Sequence, residues 1–228
     1  MFIQKELITE FDPKKNWKVL ACQKQIAWVH LSAPKNCDLV DLNYNTKKGY
    51  DISRVFEVDL NSDKWTEIEL TTLPFVLWDF YVTDSFLYAS LLVDANKDGY
   101  ITDEDYFNGI KIFQVDRNEG KIKDVWTFDS NCSIPFITKI IDDNYILLDL
   151  TYKNECGEVY ERYDLLDLAQ NKLETIYIDN EEMIEARILL TKTLDGKILL
   201  LKDLHVTPSD KPVSGGKADK IVLMEYKR

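Results

Sequence analysis

The stretch VDLNSDKWTEI, Val58–Ile68, decides the fold because its pattern returns twice later in the chain. The two similar stretches are VDRNEGKIKDV, Val115–Val125, and LDLAQNKLETI, Leu166–Ile176. Each has an apolar residue followed by aspartate, then a short polar turn, then a lysine that is followed at once by an apolar residue. This order predicts a strand, a tight turn and a second strand. The copies recur at a spacing of about 50–60 residues, which indicates a repeat architecture.

A second element alternates with these hairpins. Apolar strands are predicted to begin at Ile26, Phe86, Tyr145 and Ile198. Another apolar run precedes each of them, and these runs are Trp17–Ala21, Phe75–Val82, Ile134–Ile141 and Ala186–Leu190. A fourth copy of the hairpin pattern begins at Lys220, with Glu225 in the place of the aspartate. Each unit therefore consists of strands that follow one another in meander order.

Four such units predict an all-β fold, a four-bladed β-propeller. The fourth unit reaches Arg228 before an outermost strand can form, whereas the stretch Phe2–Phe11 precedes the first unit. Placed beside the fourth unit, this N-terminal strand would complete it and close the ring. The alternative is a sandwich or barrel, in which alternating strands also show regular turns. No linker rich in proline, glycine or serine divides residues 1–228, so we expect a single domain.

The strongest chemical motif is DANKDGYITDED, from Asp94 to Asp105. It places oxygen-bearing side chains at the first, third and fifth loop positions, glycine at the sixth and aspartate at the twelfth. Ca²⁺ takes about six to eight oxygen ligands, and this spacing allows one flexible loop to surround it. The sequence therefore predicts a calcium site. The alternative is a solvated hairpin loop, rich in Asx turns, that holds no metal.

The segment Phe86–Asp116 combines a strand, this loop and a returning strand, and in that combination it resembles TolB-type (PD40-like) β-propeller repeats. The loop itself is similar to EF-hand and dockerin loops. The resemblance implies a calcium ion whose ligands are the side chains of Asp94, Asn96 and Asp98, the carbonyl of Tyr100, Thr102 directly or through water, and Asp105.

The residue that closes this site is left open. Asp105 is one methylene shorter than the EF-hand glutamate, so Asp103 or Glu104 could close the site instead. The strand-like flanks predict that the metal would fix a long loop locally, which would otherwise cost ordering entropy. They do not predict a helix–loop–helix sensor that opens on binding.

The charge of the chain limits its partners. A net charge of −12 over 228 residues argues against a protein that follows nucleic-acid phosphates and against docking on an anionic membrane. We therefore expect cations, neutral ligands or a protein with a basic face as partners, and we expect a monomer. The N-terminus lacks the apolar block of a secretory signal. This predicts a cytoplasmic protein, or a periplasmic or extracellular one if a signal peptide has been removed.

The loops between the second and third strands of each unit would project from one face. They are predicted near Ser32–Ile52, Asp94–Asn108, Lys153–Glu158 and His205–Ala218. Long loops on a rigid scaffold favour binding, so this loop-rich face is the expected site of contact with a partner. Cys132 and Cys156 would both lie on it, as a disulfide or as two separate thiols.

Other candidate groups have structural alternatives. The only histidines, His30 and His205, would lie near the loop-rich face, either for acid–base chemistry or as ordinary strand-end residues. The tryptophans are sugar platforms or, as is more common in strands, core residues; they are Trp17, Trp28, Trp65, Trp78 and Trp126.

The sequence thus favours a non-enzymatic, calcium-stabilised interaction module that binds a protein or carbohydrate partner. A small acidic inhibitor of the immunity-protein type is one form of it. The alternative is a hydrolase or lyase with its site in the central funnel of the propeller.

Overall fold

A computed structural model of the chain describes residues 16–33, 38–40, 46–48, 50, 52–128, 133–153, 159–178, 184–195, 197–206 and 220–226. Nearly all of its regular structure is β-strand. In chain order the strands are β1 (Asn16–Gln23), β2 (Ile26–Ala33), β3 (Asp38–Val40), β4 (Thr46–Lys48), β5 (Ile52–Asp59), β6 (Lys64–Ile68), β7 (Phe75–Val82), β8 (Phe86–Val93), β9 (Ile110–Asp116), β10 (Ile122–Thr127), β11 (Phe136–Ile141), β12 (Tyr145–Lys153), β13 (Val159–Asp167), β14 (Lys172–Ile178), β15 (Ile184–Lys192), β16 (Ile198–Val206) and β17 (Lys220–Tyr226). A 3₁₀ turn (Asp103–Asp105) and a one-turn helix, α1 (Tyr106–Gly109), lie between β8 and β9.

The strands pair in the predicted meander order. The first sheet is β1-β2-β5-β6, the second β7-β8-β9-β10 and the third β11-β12-β13-β14, and the described part of the fourth is β15-β16-β17. The starts predicted for β2, β8, β12, β16 and β17 are confirmed. The separate hairpin of β3 and β4 was not predicted and lies inside the first long loop. The stretch Phe2–Phe11, predicted to close the ring, lies outside the described residues.

The repeated Asp–turn–Lys hairpin has one physical cause in all three full copies. The carboxylate Oδ1 atoms of Asp59, Asp116 and Asp167 each accept the backbone N–H groups two and three residues ahead, at 2.8–3.4 Å. The residue before each lysine then adopts a positive φ, and these residues are Asp63, Gly120 and Asn171. Aspartate starts the turn because its short side chain can bond to its own backbone.

Neighbouring sheets pack through their first strands and their faces. We call the first strands β1, β7, β11 and β15 the inner strands; β7 contacts β1 and β11, and β11 contacts β15. Hydrophobic clusters fill the spaces between first and second, second and third, and third and fourth sheets. The all-β class and the antiparallel meander order of the sheets are therefore confirmed. No helix among the described residues is both long and apolar enough to cross a membrane.

Candidate functional site

The predicted metal loop leaves the end of β8 and returns through the 3₁₀ turn and α1 to β9. Its first residue, Asp94, is 2% exposed and donates its backbone N–H to the Pro74 carbonyl at 3.0 Å. Gly99 has φ +88°, which confirms that the sixth position makes the sharp turn that favours glycine. Lys97, at φ +61°, also adopts the left-handed conformation.

The carboxylates of the first half of the loop accept hydrogen bonds from loop N–H groups. Asp94 Oδ2 accepts the Gly99 N–H at 2.8 Å, and Asp94 Oδ1 accepts the Asp98 N–H at 3.2 Å. Asn96 Oδ1 also accepts the Asp98 N–H, at 2.9 Å. Asp98 is exposed, and its Oδ1 accepts the Tyr100 N–H at 2.9 Å. The oxygen atoms at positions one, three and five thus line the inside of one tight turn.

Asp105 joins the two ends of the loop. It is fully buried, and its Oδ1 accepts the Ala95 N–H at 2.9 Å, while Oδ2 accepts the Thr102 N–H at 2.8 Å. The Thr102 hydroxyl in turn accepts the Glu104 N–H, so Thr102 and Asp105 form a capping box on the 3₁₀ turn. The T-x-x-D spacing at Thr102–Asp105 is a signal of this role that the calcium-loop interpretation overlooked.

Tyr50, in the first long loop, forms two hydrogen bonds with the predicted metal loop. The Tyr50 backbone N–H bonds to the Ile101 carbonyl at 2.8 Å, and its hydroxyl donates to Asp103 Oδ1 at 2.6 Å. The hydrogen bond to Asp103, together with burial, raises the pKa of Tyr50. Asp103 is therefore engaged by Tyr50, whereas Asp105 occupies the buried closing position.

The donor chemistry of this loop fits Ca²⁺, because every predicted ligand atom is oxygen. Within the described residues, neither Asp94 nor Asp105 has a lysine, arginine or histidine at ion-pair distance, although both carboxylates are buried. No group of three or more histidine, cysteine, aspartate or glutamate side chains in the described ranges is arranged to hold a metal ion together. The carboxylates bond instead to the N–H groups of the loop.

The return of the loop depends on the small size of Gly109. A Cβ atom at this position would lie 2.7 Å from the Val93 carbonyl oxygen, which belongs to the strand that precedes Asp94. By helix propensity alone, Gly109→Ala should stabilise the protein by about 0.5–1 kcal/mol. We expect it to destabilise by about 1–3 kcal/mol instead, because backbone must move to relieve the contact. Urea denaturation measures whether the substitution stabilises or destabilises the protein. Gly120 has φ +65° and no atom within 4 Å of an added Cβ, so Gly120→Ala measures the cost of left-handed backbone strain without a steric contact. A stabilising Gly109→Ala would contradict this packing.

His30 takes part in a hydrogen-bonded link between the first and second sheets. Its Nε2 lies 2.8 Å from the Ser53 hydroxyl oxygen, which accepts the Leu77 backbone N–H at 2.8 Å. Burial, and to a smaller extent the charge of Lys18, lower the pKa of His30. Ser53 is 2% exposed, so its hydroxyl serves the packing of the sheets. His205 lies in β16, and its side chain is outside the described residues.

Two half-buried carboxylates lie near the inner strands. Asp79 accepts the Ile137 N–H from the third sheet at 2.6 Å and its neighbour Phe80's N–H at 2.8 Å. Burial raises the pKa of Asp79, and the hydrogen bonds and Lys18 oppose this effect. Burial likewise raises the pKa of Asp149, against a hydrogen bond from Tyr163. Sequence patterns gave no reason to select these two residues.

The other predicted groups divide between described and undescribed parts of the chain. Trp28 is fully buried, as expected for a core residue, whereas Trp78 is about half exposed. Trp65 and Trp126 pack partly buried against hydrophobic clusters. The candidates that lie outside the described residues are the side chain of Trp17, Cys132, Cys156, most of the third loop and the loop after β16.

Comparison with known proteins identifies no family for the chain. No protein-family model matches it, and no curated protein is similar to it. Among solved structures, it is similar to a prolyl endopeptidase from a study of two such enzymes, with 14% identity and a TM-score of 0.42. That match covers 90% of this chain and 26% of the endopeptidase, so the chain spans about a quarter of that protein.

A second similar structure is the oligogalacturonate lyase of Vibrio parahaemolyticus, with 11% identity and a TM-score of 0.31. This match covers 87% of the chain and 68% of the lyase.

Proposed function

We propose that the chain is a calcium-stabilised, four-bladed β-propeller, a single domain closed by its N-terminal strand. It acts as a non-enzymatic interaction module that binds a protein or carbohydrate partner through its loop-rich face. The observation that carries the proposal is the loop Asp94–Asp105, in which two buried carboxylates lack a cationic partner among the described residues. Burying charge without a counter-charge is costly, and a bound divalent cation would supply one.

Burial on the first sheet supports the closed ring. Ala27, Val29 and Val58 form a cluster on the sheet face that points away from the second sheet, and each is at most 1% exposed. In a four-bladed ring this face would pack against the fourth sheet. The stretch Phe2–Phe11 would then add the outermost strand beside β17.

The calcium ion would be held by Asp94, Asn96, Asp98, the Tyr100 carbonyl, Thr102 and Asp105. Its charge would offset the clustered carboxylates and fix the conformation of the loop. The chain's own residues already support this loop, since Asp105 and Thr102 cap its return and Tyr50 holds it from the side. The role is structural, and it positions the loop on the face that meets the partner.

A hydrolase or lyase is the second candidate function. The observation that favours it is the pair of half-buried carboxylates near the inner strands, because burial raises the pKa of both Asp79 and Asp149. Against it, the Ser53 hydroxyl beside His30 is buried and already accepts a backbone N–H. A Ser–His nucleophile at that position would have no access to a substrate.

Thermal unfolding with calcium titrated against EDTA tests the proposed function. Stability should increase as RT ln(1 + [Ca²⁺]/Kd), which is about 2.7 kcal/mol at a hundredfold excess over Kd. The Tm should rise by about 5–10 °C for a chain of this size, and Asp94→Ala with Asp98→Ala should abolish the rise.

The matched control is Glu119→Ala with Asp124→Ala, which removes two carboxylates from the β9–β10 hairpin, each paired with a lysine. It should keep the full calcium response. If the Tm of the wild-type protein did not change up to millimolar calcium, the loop would be an ordinary hydrogen-bonded connection that holds no calcium.

A further inference from the structure

Among the described side chains, each inner strand has one large apolar residue that is about half exposed. These are Val19 on β1, Trp78 on β7, Phe136 on β11 and Leu189 on β15, with exposures of 52%, 47%, 50% and 57%. Each inner strand is the edge strand of its sheet, so these four side chains lie along the sheet edges.

The four side chains lie at a similar depth along their sheets. Val19 and Leu189 pair with the fourth residues of β2 and β16, and Phe136 pairs with the fifth residue of β12. Trp78 lies at a register shift, between the residues that pair with the fifth and sixth residues of β8. This register shift is a β-bulge, and bulges are frequent beside functional sites.

Trp78 and Phe136 form an exposed aromatic pair across the second and third sheets. Their ring centroids are 5.8 Å apart, and the ring planes are tilted by 54°. Both rings keep about half of their surface accessible while they are in contact. The pair therefore presents two aromatic faces at an angle to each other.

Two carboxylates flank this pair. Asp79 follows Trp78 and accepts the N–H of Ile137, the residue after Phe136. Asp149 is the cross-strand partner of Phe136, so its Cβ lies on the same face of the sheet. Each carboxylate oxygen that accepts one bond retains capacity for another.

A buried hydroxyl adds to the polar character of this place. Ser90 stands opposite Asp79 in the β7–β8 pairing and is fully buried. Within the described residues its Oγ has no hydrogen-bond partner. Cross-strand partners share a face of the sheet, so this donor points to the same side as the Asp79 carboxylate.

We propose that the Trp78–Phe136 pair is a binding platform for a neutral saccharide, with Asp79 and Asp149 accepting hydrogen bonds from its hydroxyl groups. This inference goes beyond the proposed function, because it adds a contact surface on the inner strands to the loop-rich face and names carbohydrate as the class of ligand there. A sugar ring presents apolar C–H faces and a rim of hydroxyl groups, which match two aromatic faces flanked by carboxylate acceptors.

Isothermal titration of the whole chain with soluble neutral trisaccharides of glucose, galactose, mannose and xylose tests this inference. At least one should bind saturably at millimolar concentration or below. Trp78→Ala should weaken that binding about tenfold or more, the effect expected when an aromatic anchor is truncated. Trp78→Phe should retain most of the affinity because it keeps an aromatic face. Ile122→Ala, at an exposed apolar residue of β10, should leave it unchanged.

Two results would overturn the saccharide platform. One is the absence of binding by every trisaccharide in the panel, which would favour a protein partner. The other is saturable binding that Trp78→Ala leaves unchanged. Tm is measured for each variant in calcium and in EDTA, so a retained calcium response beside absent sugar binding would reject the platform and leave the calcium-stabilised module intact.

Discussion

Arg162→Met is expected to lower the free energy of unfolding by about 3–5 kcal/mol. Arg162 donates from Nε and Nη2 to the two carboxylate oxygens of Asp164, each at 2.7 Å, and Asp164 is fully buried. Asp164 pairs with Leu148 and Arg162 with Leu150, two members of the cluster between the second and third sheets. Removal of the guanidinium would leave a carboxylate without its charge partner inside this cluster.

Urea denaturation of Arg162→Met against Lys121→Met measures this effect. Lys121 is paired with Glu119 on an exposed turn, where an ion pair contributes about 0–1 kcal/mol. The double change Arg162→Met with Asp164→Leu should recover much of the lost stability, because it removes both charges together. If Arg162→Met cost no more than Lys121→Met, the buried Arg162–Asp164 pair would contribute no more to stability than an exposed ion pair.

The strand order was predictable because two local signals agree along the chain. Asp59, Asp116 and Asp167 each start a turn by accepting N–H groups two and three residues ahead, and this chemistry is visible in the sequence. Strand starts such as Phe86 and Tyr145 follow turn residues and precede apolar runs. Both signals are local, so no knowledge of distant contacts was needed.

The exposure of Trp78 could not be predicted, because it depends on contacts between residues that are distant in the sequence. Alternation has a period of two, and the bulge at Trp78 shifts the pairing by one residue between Leu77 and Asp79. Nothing in the sequence FVLWDFYV marks where the extra residue lies. The aromatic contact with Phe136 joins residues of two sheets, and the hydrogen bond from Ile137 to Asp79 does the same.

The structure of the loop Asp94–Asp105 could be predicted in part. Its spacing predicted the turn at Gly99 and left open which of Asp103, Glu104 and Asp105 closes a metal site. It did not predict that Thr102 and Asp105 would cap a 3₁₀ turn, or that Tyr50 would reach Asp103 from the first sheet's long loop. A carboxylate can close a metal site or a capping box with the same spacing, so the sequence alone does not separate the two roles.

Asp105→Asn and Asp98→Asn separate these roles by experiment. In EDTA, Asp105→Asn should lower the free energy of unfolding by about 3 kcal/mol, because its amide would face buried N–H groups that the carboxylate now accepts. These donors are the N–H groups of Ala95 and Thr102. Asp98 is exposed, and an asparagine there could still accept the Tyr100 N–H, so its cost should stay within about 0.5 kcal/mol.

Calcium should then widen the difference between the two variants. A calcium loop accepts asparagine as well as aspartate at its fifth position but takes a carboxylate at its twelfth, so Asp105→Asn should lose most of the calcium-dependent rise in Tm and Asp98→Asn should keep most of it. The full difference between wild type and Asp105→Asn in saturating calcium would then exceed that in EDTA. Asp98→Ala, which removes the side-chain oxygen, should lose the response, and a normal calcium response in Asp98→Ala would remove this residue from the ligand set. If wild type also failed to respond while Asp105→Asn still cost stability, the buried carboxylate would act only as the hydrogen-bonded closure of the loop.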